Sequence, residues 1–221
     1  MKKNVVLFIL FIFPIVAYLF FASGVNSFSK LPVLTKNVSE FGTNWKSQND
    51  SLVQLQGRIT ILGFSGNDVL SRKGNYFNLD QKIYRKYSGF KDFQIVILSP
   101  VGTEKAVDSI MDKLKTVSEM NHWHFVFAPV DEMDAFYKSL QLQEKLDIEI
   151  GTPNVYIIDK ERNVRGRKGL NDKKEEEYKE GYNTSLVSEL HNEMTDDVRI
   201  ILAEYRLALK KNNASRKKSG L

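Results

Sequence analysis

The sequence predicts an α/β fold, a central mixed β-sheet flanked by helices, with a transmembrane helix ahead of it and a long helix closing it. Three observations carry this. Short apolar, β-branched runs alternate with stretches of helical periodicity from residue 57 onward. The first two dozen residues hold an uncharged apolar run. Residues 184–211 carry an apolar stripe at helical spacing.

The apolar run extends from Val5 to Ala22, behind Lys2 and Lys3. At ~1.5 Å per residue it covers roughly 27 Å, close to the hydrocarbon thickness of a bilayer. Pro14 is tolerable in such a helix, and Tyr18 suits its far interface. The competing reading is a cleaved signal peptide ending near Phe21-Ala22-Ser23-Gly24, but the run is long for one. The two lysines before the run, with none after it until Lys30, predict a cytoplasmic N-terminus and an exported domain.

The elements follow in order. Arg58 to Phe64 reads as a buried strand, and Ser65-Gly66-Asn67-Asp68 as a turn opening a helix. Leu70, Phe77, Ile83, Tyr84 and Tyr87 recur at roughly helical spacing. Phe93 to Leu98 is a second strand. The helix opened by Thr103 and Glu104 presents Val107, Ile110, Met111, Leu114 and Val117. Trp123 to Phe127 is a third strand, followed by a short helix bearing Phe136 and Leu140. Asp131, Glu132 and Asp134 suit the start of that helix by complementing its dipole, rather than forming a catalytic pair. Gly151 to Asp159 is a turn and strand that returns through Asp159–Asn163 to Val164–Arg167. Asn171 to Tyr182 reads as a charged insertion loop. The closing helix, about Thr184 to Lys211, has Val187, Leu190, Met194, Val198, Ile201 and Tyr205 as its stripe. The expected division is an anchor over 1–24, a linker and extended segment over 25–56, the folded domain over 57–211, and a basic, flexible tail over 212–221.

Composition narrows the chemistry. The chain has no cysteine, so it offers no disulfide, no thiolate ligand and no thiol redox couple. The net charge of +5 is modest and its excess gathers at the two ends, which argues against nucleic acid as a partner.

Three local features resemble thioredoxin-like proteins: the strand–turn–helix junction at Phe64 to Asp68, the Gly151-Thr152-Pro153 turn before a strand, and the Asp159–Arg167 hairpin. The resemblance implies that Thr152–Pro153 is a cis-proline turn facing the junction. Within that group Gly63-Phe64-Ser65 resembles the start of the G-F-T-x-C-P-x-x-C-P motif of the Sco/SenC family, whose members assemble cytochrome oxidase copper centres. Lys30 to Thr35, and Asp196 through Glu204 to Lys211, are similar to segments of membrane-anchored Sco-like proteins of Bacteroidetes. The resemblance implies a domain on the periplasmic side of a bacterial inner membrane. It also places Asn67 and Ser71 where the family has its two cysteines, and the distal histidine ligand has no counterpart beside Thr152 and Pro153. Neither copper transfer nor thiol reduction carries over.

Other sites are weaker. Met120, His122 and His124 would share one face of a strand, and two imidazoles with a thioether suit copper. His191 reads as a surface residue. Ser65 echoes a nucleophile elbow, but its glycine spacing is wrong and no histidine is placed to serve it. The expectation is therefore a membrane protein that is not an enzyme and holds no cofactor. It would bind a protein partner at a pocket formed by Gly66, Asn67, Asp68, Thr152 and Pro153. The alternatives are a metallochaperone using Met120, His122 and His124, or a structural subunit of a membrane complex docked through its long helix.

Overall fold

A computed structural model describes residues 10–16, 30–171 and 173–218. The strands are β1 (Val33–Thr35), β2 (Lys46–Ser47), β3 (Ile59–Ser65), β4 (Phe93–Pro100), β5 (Trp123–Ala128), β6 (Gly151–Ile158), β7 (Val164–Arg165), β8 (Arg167–Leu170), β9 (Glu176–Lys179) and β10 (Tyr182–Asn183). Helix α1 begins at Lys73–Leu79 and continues through a π-helical turn, Asp80–Tyr84, to Arg85–Tyr87. Helix α2 is Glu104–Lys115 and α3 is Val130–Ser139. Helix α4 opens at Val187–Glu189, passes a π-helical turn at Leu190–Met194, and runs on as Thr195–Lys218.

The sheet order is β1-β7-β6-β3-β4-β5-β2, with β10 paired to β6. Strands β3, β4 and β5 are parallel, and β6 lies antiparallel to β3 and hairpins into β7. Parallel neighbours need crossovers, and helices α1 and α2 supply them. A parallel β-α-β-α-β unit completed by an antiparallel hairpin beside its first strand is the thioredoxin-like arrangement.

Alternation along the strands builds two cores, one on each face of the sheet. Ile61, Ile95, Ile97, Trp123 and Phe125 face α1, α2 and α4. Leu62, Phe64, Val96, Leu98 and Val126 face α3. That second face would be under-covered by α3 alone. Val38, Phe41 and Leu55 complete it. The stretch expected as a linker is thus part of the domain. It also supplies both outer strands of the sheet, β1 against β7 and β2 against β5, so neither long edge is left open.

Other expectations need correction. The charged loop over 171–182 is largely ordered as the β8–β9 hairpin plus β10. Arg167 and Lys179 pin it to α4 through Asp197, Glu189 and Glu193. The expected flexible tail is helical to Lys218, because no glycine or proline interrupts the chain until Gly220. Leu70, assigned to the first helix, precedes it and is exposed. The membrane helix expected over 1–24 lies mostly outside the described residues. Residues 10–16 are helical and exposed. Among the described residues no helix is long and apolar enough to cross a membrane.

Candidate functional site

Parallel strands β3, β4 and β5 end together, and β6 begins at the same rim. Loops at this rim hold the junction that the sequence singles out. Gly66 turns the chain out of β3 with φ +68°, and a Cβ there would lie 2.6 Å from the Glu149 carbonyl, so only glycine fits. The next amide, Asn67 N–H, donates to that same carbonyl at 2.9 Å. The turn is thereby stapled to the loop leading into β6.

Ser65 is buried. Its Oγ lies 2.8 Å from Ser99 Oγ and 2.9 Å from the Gly66 carbonyl. Those contacts occupy the hydroxyl without involving any base. His124, in β5, pairs with Val96, three residues short of Ser99 and two strands from Ser65, so no imidazole touches the Ser65 hydroxyl. Asn67 is exposed. Ser71 Oγ donates back to the Asp68 carbonyl at 2.8 Å, and Ser71 N–H donates to Asp68 Oδ1 at 3.3 Å. The two positions where the resemblance would put cysteines thus hold an exposed amide and a hydroxyl bonded within its own turn.

Arg72 and Asp147 do more here than the residues expected to. Arg72 Nε donates to the Ser65 carbonyl at 2.9 Å, and its guanidinium pairs with Asp147. Asp147 Oδ1 accepts the amides of Glu149 and Gly151, both at 2.9 Å. The Asp-x-x-x-Gly spacing of that loop is a turn signal legible in the sequence. Nothing in the sequence links it to Arg72.

The Thr152–Pro153 peptide is trans, as is every peptide among the described residues. The expected cis turn is replaced by a bulge. β6 already starts at Gly151, and its register to β3 jumps from Gly63↔Val155 to Ser65↔Gly151. The extra residues loop past Pro153, which has no N–H to donate. Extended backbone at Thr152 is also what a residue before proline prefers. The Pro153 carbonyl accepts Thr184 N–H at 3.0 Å. Thr152 Oγ1 donates to Glu144 at 2.9 Å, and Glu144 also accepts Asn154 Nδ2 at 2.8 Å and the Tyr156 hydroxyl at 2.7 Å. Burial pushes the Tyr156 hydroxyl well above the usual phenol range, and the hydrogen bonds to Tyr137 and Glu144 add to it.

The five residues expected to form a pocket do reach one rim, but they enclose no ligand-sized space. The void beside Thr152 and Pro153, closed by Gly63, Arg72, Asn75 and Tyr76, holds about 10 Å³, room for no more than a water molecule. Accessible apolar surface lies around it instead. Leu70, Val101 and Ile148 on three loops of this rim, and Val130 at the start of α3, are exposed by 54%, 62%, 95% and 41%. A groove of about 720 Å³ runs past Val130, Tyr137, Leu142, Leu146 and Ile150. A second, of about 500 Å³, passes Val101, Phe127 and Pro129.

The Met120, His122 and His124 cluster does not share a face. β5 starts only at Trp123, after a turn closed by Trp123 N–H to the Met120 carbonyl at 3.2 Å. Met120 packs on the α1–α2 core, while His124 alternates with Trp123 and Phe125 and faces the other way. Burial, with smaller contributions from His122 and Arg58, pulls the His124 imidazole down to about 4. Its Nδ1 is buried without a partner. Among the described residues no three His, Asp or Glu side chains are grouped to hold a metal ion. His191 is exposed.

No protein-family model matches the chain, and no curated protein is similar to it at a significant level. Several solved structures follow a similar chain course. BsSco, a member of the Sco family of cytochrome c oxidase assembly proteins, is 14% identical, covering 75% of this chain and 99% of that one, with a TM-score of 0.49. The soluble domain of Sco1 from Bacillus subtilis is 17% identical over 79% of this chain and 97% of that one, with a TM-score of 0.46. ScoI from Arabidopsis thaliana, solved with copper bound, is 16% identical over 74% and 98%, with a TM-score of 0.42. Strand order and register by themselves make the fold thioredoxin-like.

Proposed function

We propose that this chain is a single-pass, membrane-anchored domain on the periplasmic side of a bacterial inner membrane that works by binding a protein partner, not by catalysis. The observation that carries the reading is the rim. Where a thioredoxin-like redox protein keeps reactive groups, this chain keeps a stapled turn, a hydroxyl held by Ser99, and an Arg72–Asp147 clasp. Around that inert centre stand four exposed aliphatic side chains, three on loops and Val130 at the start of α3. Exposed apolar residues grouped on one face mark interaction surfaces. Thiol chemistry has no residue to perform it.

The partner we infer belongs to a membrane complex under assembly, with cytochrome oxidase the first to examine. That choice follows from the Gly63-Phe64-Ser65 resemblance and from the apolar N-terminal run, whose described residues 10–16 are helical and exposed. The test is affinity purification of the full chain from native membranes in mild detergent, beside a variant carrying Leu70→Asp and Ile148→Asp. Oxidase subunits should co-purify with the unaltered chain and be lost from the variant. Equal recovery would sink the rim as the binding surface. Recovery of no membrane-complex subunit would sink the assembly role.

A further inference from the structure

The two ends of the folded domain meet at the pole opposite the rim. Lys30 Nζ lies 3.9 Å from Glu204 Oε1 on α4. Arg165 ties the same two segments together, donating from Nε to the Leu31 carbonyl and from Nη2 to Glu204, each at 2.8 Å. Tyr205 of α4 packs on the core, beside Ile59 at the start of β3. Residues 206–208 are exposed, and the helix continues to Lys218. At ~1.5 Å per residue this extension is roughly 20 Å long.

Its composition is one-sided. Arg206, Lys210, Lys211, Arg216, Lys217 and Lys218 fall within it, and no acidic residue follows Glu204. The neighbouring β8–β9 hairpin carries lysines too, but Glu175, Glu176 and Glu177 offset them. The extension is where the sequence gathers positive charge without acidic residues among it.

We propose that the extension of α4, Arg206 to Lys218, is a second membrane contact that binds anionic lipid headgroups beside the anchor. This rests on the anchor reading. Six chain steps separate Gly24 from Lys30, a reach of at most about 20 Å. Lys30, Glu204 and the root of the extension therefore lie within reach of the bilayer surface. Clustered Lys and Arg held close to a bilayer are attracted to the anionic headgroups of the leaflet they face over about one Debye length. Two contacts at one pole would hold the domain upright, with its apolar rim facing away from the bilayer.

The absence of cysteine makes the test clean, because Ser215→Cys gives one labelling site for a nitroxide. The labelled full chain is placed in nanodiscs of phosphatidylcholine alone or mixed with phosphatidylglycerol. In the anionic discs, collision of the label with a relaxant carried on lipid headgroups should rise at least about threefold. About 0.5 M salt should abolish the rise, as screening demands. So should a variant with Lys210, Lys211, Arg216, Lys217 and Lys218 changed to Gln. Equal spectra in the two discs, or ordering that ignores salt, would overturn the proposal while leaving the anchor intact. A chain that elutes free of the discs overturns the anchor reading, and this contact with it.

Discussion

Arg72 grips the end of β3 by donating from Nε to the Ser65 carbonyl at 2.9 Å, while the rest of its guanidinium holds Asp147. One side chain thus locks the junction turn to the loop before β6. Arg72 is mostly buried and Asp147 is about half exposed, so solvent screens the pair and the gain is moderate. Arg72→Ala should lower stability by about 1–2 kcal/mol. It should also speed hydrogen exchange at the amides of Asn67, Glu149 and Gly151. Asp147→Asn should cost less, because an amide oxygen can still accept the Glu149 and Gly151 amides. Urea denaturation and native-state exchange check both, and unchanged exchange in Arg72→Ala would show that the clasp is ornamental.

A tighter arrangement holds the opposite pole. Arg165 and Asp159 are almost fully buried and pair at 2.9 Å, and Arg165 also reaches Glu204. Burial disfavours the guanidinium charge, but hydrogen bonds to Asp159 and Glu204 outweigh it, and the Arg165 pKa is raised. Arg165→Met would leave the buried Asp159 carboxylate without its charge partner, with only the Glu161 and Asn163 amides and Asn163 Nδ2 donating to it, an effect of about 3 kcal/mol. Glu204→Gln, at a partly exposed site, should cost far less. Adding Asp159→Asn to Arg165→Met should recover part of the loss. A single-variant loss under about 1 kcal/mol by denaturation would mean the pair is not the clamp its burial implies.

These two clasps were invisible in the sequence, and the reason is general. Apolar runs such as Phe93–Leu98, and helical faces such as Val107, Ile110, Met111 and Leu114, announce themselves through local period. An Arg72 paired with Asp147 has no local signature. β1 and β2 have three and two residues, too few for alternation to register. The β8–β9 hairpin is rich in Glu and Lys and reads as a loop until α4 supplies its ion pairs. The Thr152–Pro153 isomer was beyond local reading as well. For a proline peptide the two forms differ by only about 0.5–1 kcal/mol, and the start of β6 decides between them. At the rim the sequence named the right turn and the right strand end. It did not foresee that they would close on each other and leave binding surface only around them.

Metal binding can be tested directly. Ser71 Oγ is held by the Asp68 carbonyl, and amide and hydroxyl groups are poor ligands for Cu(I). Among the described residues no third His, Asp or Glu is grouped with His122 and His124, and Met120 packs into the α1–α2 core. Titration of the full chain in detergent with Cu(I), Cu(II) and zinc should find no tight, stoichiometric binding. His122→Ala and His124→Ala should leave the weak binding unaltered. Sub-micromolar, one-to-one binding abolished by those two changes would make the chain a metallochaperone.

His124 also predicts a pH dependence. Its folded pKa of about 4 lies below the ordinary 6.5, chiefly through burial, with His122 and Arg58 adding repulsion. Above about pH 6.5 the imidazole is neutral in both folded and unfolded chains, and its contribution is fully present. Between about 6.5 and 4 the unfolded chain binds a proton that the folded one refuses, so stability falls as pH falls. Below about 4 both states are protonated and nothing more is lost. A tenfold difference in proton affinity between the two states corresponds to about 1.4 kcal/mol, which sets a ceiling of about 3 kcal/mol for the full window. Carboxylates titrate near the acid end too, so the useful quantity is a difference. Urea midpoints of the unaltered chain and His124→Gln should converge as pH drops from 7 to 4, because only the former carries this loss. His122→Gln should keep the slope and move its acid end slightly upward, since one source of repulsion is gone. Parallel curves for the unaltered chain and His124→Gln would mean that water reaches the imidazole and that its buried Nδ1 is not without a partner in solution.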